Sequence, residues 1–108
     1  MMTPEQRILA KLLLIEEEMK NIELWQLESP TEQAFESVEP FCIDTMSAHE
    51  WLQWVLIPRL SSMIESEMPL PNTFAIAPYY EEAFKEDKSR DVTDLLNHLR
   101  ELDAMFKS

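Results

Sequence analysis

Ser47-Ala48-His49-Glu50-Trp51-Leu52-Gln53-Trp54-Val55-Leu56-Ile57-Pro58-Arg59 is the stretch whose reading decides the fold. Ser47 and Glu50 have the spacing of a capping box, in which the two side chains satisfy backbone amides that no helical carbonyl can reach. Met46 and Trp51 stand at the positions of a hydrophobic staple. From Trp51 to Ile57 the chain is apolar nearly all round. A helix with no wet face is enclosed by neighbours on several sides, so this segment is expected to be the central rod of a bundle. Pro58 lacks the amide that would bond to the carbonyl of Trp54, which predicts a kink or break there. Leu60, Met63 and Ile64 continue an apolar face until Pro69-Leu70-Pro71 ends it.

The flanks are helical as well. Thr3, Pro4 and Gln6 read as N-cap, first-turn proline and capping box. Ile8, Leu12, Ile15, Met19 and Ile22 then recur at spacings of four and three, predicting a first helix that runs to about Leu27. Ser29, Pro30 and Glu32 repeat the start signal for a short helix through about Ser37. Glu39-Pro40 breaks the chain, and Phe41-Cys42-Ile43 is an apolar loop expected to tuck over a core. Residues 72–77 read as an irregular connection, Pro78 as the start of a helix holding Tyr79, Tyr80 and Phe84, and Asp87 to Ser89 as a turn. A last helix carries Leu95, Leu99, Leu102 and Phe106 on one stripe, with Val92 and Leu96 beside it. No window alternates with period two. The expected fold is all-α: one domain over residues 1–108, with four main helices, a short extra helix, and a central helix kinked or broken at Pro58.

Composition removes whole classes of function. The 108 residues include no glycine, and phosphate-cradling loops, dinucleotide fingerprints and nucleophile elbows need a backbone that glycine adopts most cheaply. One cysteine, Cys42, excludes an internal disulfide and a multi-thiolate metal site. No apolar run is long enough to span a bilayer, and the acidic residues after Ile15 do not suit a signal peptide. A cytoplasmic protein is expected. The net charge of −12 is uneven: between Asn21 and Phe84 eleven carboxylates face a single cation, Arg59. Such a surface repels phosphate backbones, so direct nucleic-acid binding is not expected, whereas a basic protein face would be attracted.

Catalytic and metal signatures are lacking. The di-metal carboxylate pattern of helical bundles needs a glutamate three residues before each histidine. Met46 precedes His49 at that distance, and Leu95 precedes His98. His98 falls among Asp94, Asn97 and Glu101 on what reads as a solvated face, and Cys42 reads as a buried, inert thiol. No cofactor, metal or catalytic residue is therefore expected. The group that stands out is Asp44, Trp51, Trp54, Arg59, Tyr79 and Tyr80. Arg59 needs a carboxylate, and Asp44 or Glu50 could serve as its bidentate partner, pinning the kinked helix to its loops. Alternatively the group forms an aromatic-lined interaction surface, because Trp, Tyr and Arg dominate interface hot spots.

The central residues resemble the YqcC-like family of small bacterial proteins. The likeness is carried by Pro40-Phe41, Asp44-Thr45-Met46, Glu50 through Arg59, Leu70-Pro71, Phe74-Ala75 and Ala77-Pro78-Tyr79-Tyr80-Glu81. It implies a compact helical bundle and no established activity. Family members are often labelled by association with a tRNA pseudouridine synthase whose gene commonly lies beside theirs. Such synthases use a catalytic aspartate in a much larger sheet-based domain, which this chain lacks, so the resemblance implies an accessory protein. The expected function is a non-enzymatic interaction module with a basic protein partner, the RNA-modifying enzyme. Two other readings stand beside it: a small-molecule binder or minimal enzyme with a pocket near Asp44, His49, Arg59 and Tyr80, and a homodimer that buries an exposed apolar face.

Overall fold

The computed structural model describes residues 3–70, 75–85 and 91–106. Helix α1 spans Pro4–Asn21, with both halves of the capping box formed: the Gln6 amide donates to Thr3 Oγ1 at 3.1 Å and the Thr3 amide to Gln6 Oε1 at 2.9 Å. Its stripe of Ile8, Leu12, Ile15 and Met19 is buried. The helix stops six residues short of Leu27. Glu23 takes a left-handed conformation (φ 62°), the Leu24 amide donates to the Met19 carbonyl at 2.8 Å, and the Glu23 amide donates to that of Lys20 at 3.2 Å. This is a Schellman motif, whose left-handed position is usually glycine. With no glycine to mark it, apolar periodicity ran past the true end.

The short helix expected through Ser37 is a 3₁₀ turn, Glu32–Glu36, and a second 3₁₀ turn covers Pro40–Cys42. The rod follows. Its capping box is formed at Ser47 and Glu50, and Met46 is buried with Trp51 packed against it. The rod comprises α2 (Ala48–Trp51), a π-helical turn (Leu52–Leu56) and α3 (Ile57–Glu65), without interruption. The chain neither breaks nor restarts at Pro58. Instead the Ile57 amide reaches back to the Leu52 carbonyl, so the helix widens by one residue before the proline. Widening accommodates both the missing donor and the ring that would crowd the Trp54 carbonyl. The rod is also less enclosed than its composition suggests. Leu52, Gln53, Leu56 and Leu60 are buried, Trp51, Trp54 and Val55 are half-buried, and Pro58 and Arg59 are exposed. A second Schellman motif ends it at Glu67 (φ 56°), with the Met68 amide donating to the Met63 carbonyl at 2.8 Å.

Helices α4 (Ala77–Ala83) and α5 (Thr93–Met105) complete the bundle; residues 72–74 of the expected connection and the expected turn at 87–89 lie outside the described residues. Helix α5 packs against α1 and α4, and α3 packs against α1. Leu95, Leu99, Leu102 and Phe106 are buried, as their spacing requires. Three polar side chains are buried among them. Asp103 accepts the Ile76 amide at 2.9 and 3.0 Å and the Ala77 amide at 2.8 Å, so a carboxylate from α5 caps the start of α4. Gln53 pairs with the backbone of Gln26 in both directions at 2.7 Å, fastening the chain beyond α1 to the rod. Lys11 places Nζ 3.2 Å from His98 Nδ1 and 3.3 Å from Glu101 Oε2. An ammonium group only donates, so the imidazole nitrogen is the acceptor. His98 is therefore half-buried and bonded across the α1–α5 interface, not a solvated surface residue.

Candidate protein-docking site

The segment 31–47 forms a flap over one side of the rod. Ala34, Cys42 and Met46 make a small core of their own, with Trp51 and Val55 packed against it. The Thr45 hydroxyl donates to the Ala34 carbonyl at 2.7 Å and ties the two turns of the flap together. Phe41 (φ 58°) and Cys42 (φ 49°) are both left-handed. Each such residue costs about 1–2 kcal/mol without glycine. Aromatic contacts offset part of that cost: the Phe41 ring stacks on Tyr79 at 4.1 Å and meets the edge of Trp51 at 4.8 Å. Cys42 is buried, and Ile43, the third residue of the apolar loop, is 59% exposed.

Between flap and rod lies an open groove of about 430 Å³. Phe41, Trp51 and Val55 give it an apolar floor, and Phe35, Glu39 and Arg59 are among its other lining residues. Phe35 is 42% exposed. Arg59 is exposed and, among the described residues, takes part in no ion pair or hydrogen bond. The two carboxylates expected to hold it are engaged elsewhere. Asp44 accepts the Ser37 hydroxyl. Glu50 accepts both the amide and the hydroxyl of Ser47 at 2.9 Å, and the amide in particular holds its carboxyl below the usual 4.5.

Of the six residues expected to form an interaction surface, the structure brings Trp51 and Arg59 into the groove, with Tyr79 behind its floor through Phe41. Asp44 stands at the rim through Ser37. Trp54 is half-buried on another side of the rod, its indole donating to Gln26 Oε1 at 3.1 Å. Tyr80 does not belong to a surface at all. It is fully enclosed, and its hydroxyl donates to the Ala48 carbonyl at 2.7 Å. Burial raises the Tyr80 phenol well above its ordinary value of 10. The pocket envisaged around Asp44, His49, Arg59 and Tyr80 is therefore not assembled: Tyr80 is core, His49 lies beside Ser47 at 3.3 Å, and neither His49 nor Asp44 lines the groove. Sequence reasoning did not place Phe35, Ser37, Glu39, Phe41, Cys42 or Val55 in the site. Phe35 was detectable as a large apolar residue in an otherwise polar turn.

The class these features define is that of small all-α bundles with an open aromatic groove. A family profile described as tRNA pseudouridine synthase C matches residues 7–105. The uncharacterised protein YqcC of Escherichia coli is 40% identical over 105 residues, 97% of this chain and 95% of that protein. Its solution NMR structure superposes with a TM-score of 0.86, covering 97% of this chain and 89% of that one. An uncharacterised protein of Haemophilus influenzae is 59% identical over 68 residues, which are 63% of this chain and 64% of that protein. A tRNA pseudouridine synthase C of Pectobacterium carotovorum is 41% identical over 73 residues, 68% of this chain but 19% of that protein. The chain belongs to the YqcC-like family. Among the described residues no helix is long and apolar enough to cross a membrane.

Proposed function

We propose that this chain is a non-catalytic accessory module of the cytoplasm that docks on a tRNA pseudouridine synthase. The observation that carries the reading is the Pectobacterium relative, in which a segment 41% identical to this chain makes up 19% of a protein bearing the synthase's name. A bundle that is one part of a larger polypeptide is held beside its neighbour at high effective concentration. A separate copy of the same bundle would have to find that neighbour by docking. The net charge of −12 favours a basic protein face. An accessory role is further supported by how the polar side chains are used. Asp103, Gln53, Lys11 and Glu50 spend their hydrogen bonds on holding helices together or capping them.

Purified chain and the synthase from the same cell, mixed at low salt, are expected to co-elute from a sizing column, and the complex is expected to weaken as salt rises. Separate elution of the two proteins at low salt would refute the proposal.

A further inference from the structure

Resting on that reading, the geometry points to the flap–rod groove as the docking surface, and to its occupant: a segment of the synthase with one carboxylate between basic residues. The carboxylate pairs with Arg59, and the basic flanks meet Glu39 and Asp44.

Three observations converge on the groove. The first is electrostatic. Arg59 is the one cation from Asn21 to Phe84, lines the groove together with Glu39, and has no internal partner among the described residues. A guanidinium is built for bidentate pairing with carboxylate. In the free protein it stands in water, where an ion pair gains little. Once an occupant covers it, the pair is shielded and strengthens. A lone cation in an acidic surround selects the inverse pattern on its partner, a lone anion with cationic neighbours.

The second observation is strain. Two consecutive non-glycine residues, Phe41 and Cys42, are held left-handed where they line the groove. Costly backbone of this kind persists where the surrounding structure over-determines it, and it concentrates at binding sites. Here it presents Phe41 against Trp51 as a floor already fixed before binding, which lowers the ordering cost of association. The third observation is exposed apolar area: Phe35 (42%) lines the groove, and Val38 (95%) stands in the flap between the lining residues Ser37 and Glu39. An apolar centre with a charged rim is the anatomy of a docking site.

A second exposed apolar face serves as the internal control. Leu13 is 63% exposed on α1, Leu14 is 43% exposed, and a smaller hollow of about 290 Å³ lies between α1 and α3. The charged residues lining that hollow, Glu16 and Glu65, are both acidic.

The test uses calorimetric titration of the full chain into the full synthase. Arg59→Glu is expected to weaken binding roughly thirtyfold or more, the scale of losing a hot spot, with a melting curve little changed because Arg59 makes no hydrogen bond or ion pair among the described residues. Leu13→Ser/Leu14→Ser is expected to leave affinity unchanged. Arg59→Lys supplies an amine that carbodiimide can couple directly to a carboxylate. Mass spectrometry is expected to find position 59 joined to an Asp or Glu of the synthase with Lys or Arg neighbours. Undiminished binding by Arg59→Glu, loss of binding through the α1 pair, or coupling of position 59 to a second copy of this chain would each overturn the groove assignment while the accessory reading stands. Absence of any wild-type complex at low salt overturns the reading and the assignment together.

Discussion

Leu99 is wholly enclosed in a core shared by every helix of the bundle, whereas the buried cluster of the flap 31–47 consists, among the described residues, of Ala34, Cys42 and Met46. The main core is assembled from stripes on long helices, and each stripe covers its neighbours. The flap is built from two 3₁₀ turns, a left-handed pair and a few side-chain bonds. Its contacts are mostly local and its backbone is strained. The contrast separates a scaffold from the element it displays, since segments that engage ligands are drawn from the less stable end of a fold. Even adjacent residues fall on opposite sides of this divide: Tyr80 belongs to the scaffold, and Tyr79 supports the flap through Phe41.

Truncating each interior gives the largest effect. Leu99→Ala is expected to cost about 4 kcal/mol and Met46→Ala about 2 kcal/mol, because the flap can collapse into the gap while the helical core cannot. Chemical denaturation measures both. Equal costs would mean that the flap is as tightly packed as the bundle. Native-state hydrogen exchange of the Met46→Ala variant adds detail: faster exchange is expected within 31–47, and amides of α5 that open only in global unfolding are expected to lose at most the same about 2 kcal/mol of protection.

A smaller gain is expected at the helix ends. Glu23→Gly and Glu67→Gly each remove the left-handed penalty of about 1–2 kcal/mol and add a flexibility cost of about 0.5–1 kcal/mol in the unfolded chain. Thermal melts should therefore rise by the equivalent of about 0.5–1 kcal/mol for each variant, which a scanning calorimeter resolves. A fall in either melting temperature would show that the glutamate side chain stabilises its Schellman motif. These positions belong to the scaffold, so synthase binding is expected to be unaffected.

At neutral pH the last effect is nil, and it emerges only in alkali. Burial raises both phenols above their ordinary value of 10, Tyr80 well above it. A group whose folded value is raised contributes stability below its unfolded value and loses it as pH rises further. Stability is thus expected to fall once the pH passes 10, as unfolded chains ionise Tyr80 and folded ones do not. Phenolate absorbance should register Tyr79 first, with helical circular dichroism intact, and Tyr80 only together with unfolding. Simultaneous ionisation of both before any loss of helix would contradict the burial assigned to Tyr80.

Much of the scaffold is legible in the sequence because its signals are local and repeated. The capping boxes at Thr3–Gln6 and Ser47–Glu50, and the stripes of α1 and α5, depend only on neighbours within a turn or two. What escapes notice depends on partners far along the chain. Asp103 sits four residues after Leu99, on the buried stripe of α5, and its purpose appears only when Ile76 and Ala77 arrive beneath it. Gln53 interrupts an apolar run for the sake of Gln26. Helix ends are hidden for another reason: a chain without glycine gives no mark at Glu23 or Glu67. Of the site, Trp51 and Arg59 could be picked out by residue type, while the contour of the groove depends on Phe41 and Cys42 adopting a conformation their identities disfavour.

The widened turn before Pro58 has one consequence for how this molecule can vary. Leu52, Leu56 and Leu60 face the core, and Trp51, Val55 and Arg59 face the groove, both sets at strict intervals of four. In an ordinary α-helix each interval of four overshoots a full circle by about 40°, so the two ends of either set would diverge by about 80°. The additional residue absorbs that overshoot. Were the turn to close to ordinary pitch with every residue kept, the downstream half would swing by about 80°. Removing one residue between positions 52 and 56 as it closes leaves seven steps of about 100° from Leu52 to Leu60, about 20° short of two full circles, so both faces are kept. The leucines and the guanidinium would then keep their places, whereas the same deletion in an ordinary α-helical stretch would turn everything beyond it by about 100°. Elsewhere along this rod, the number of residues is as much a determinant of form as their kind.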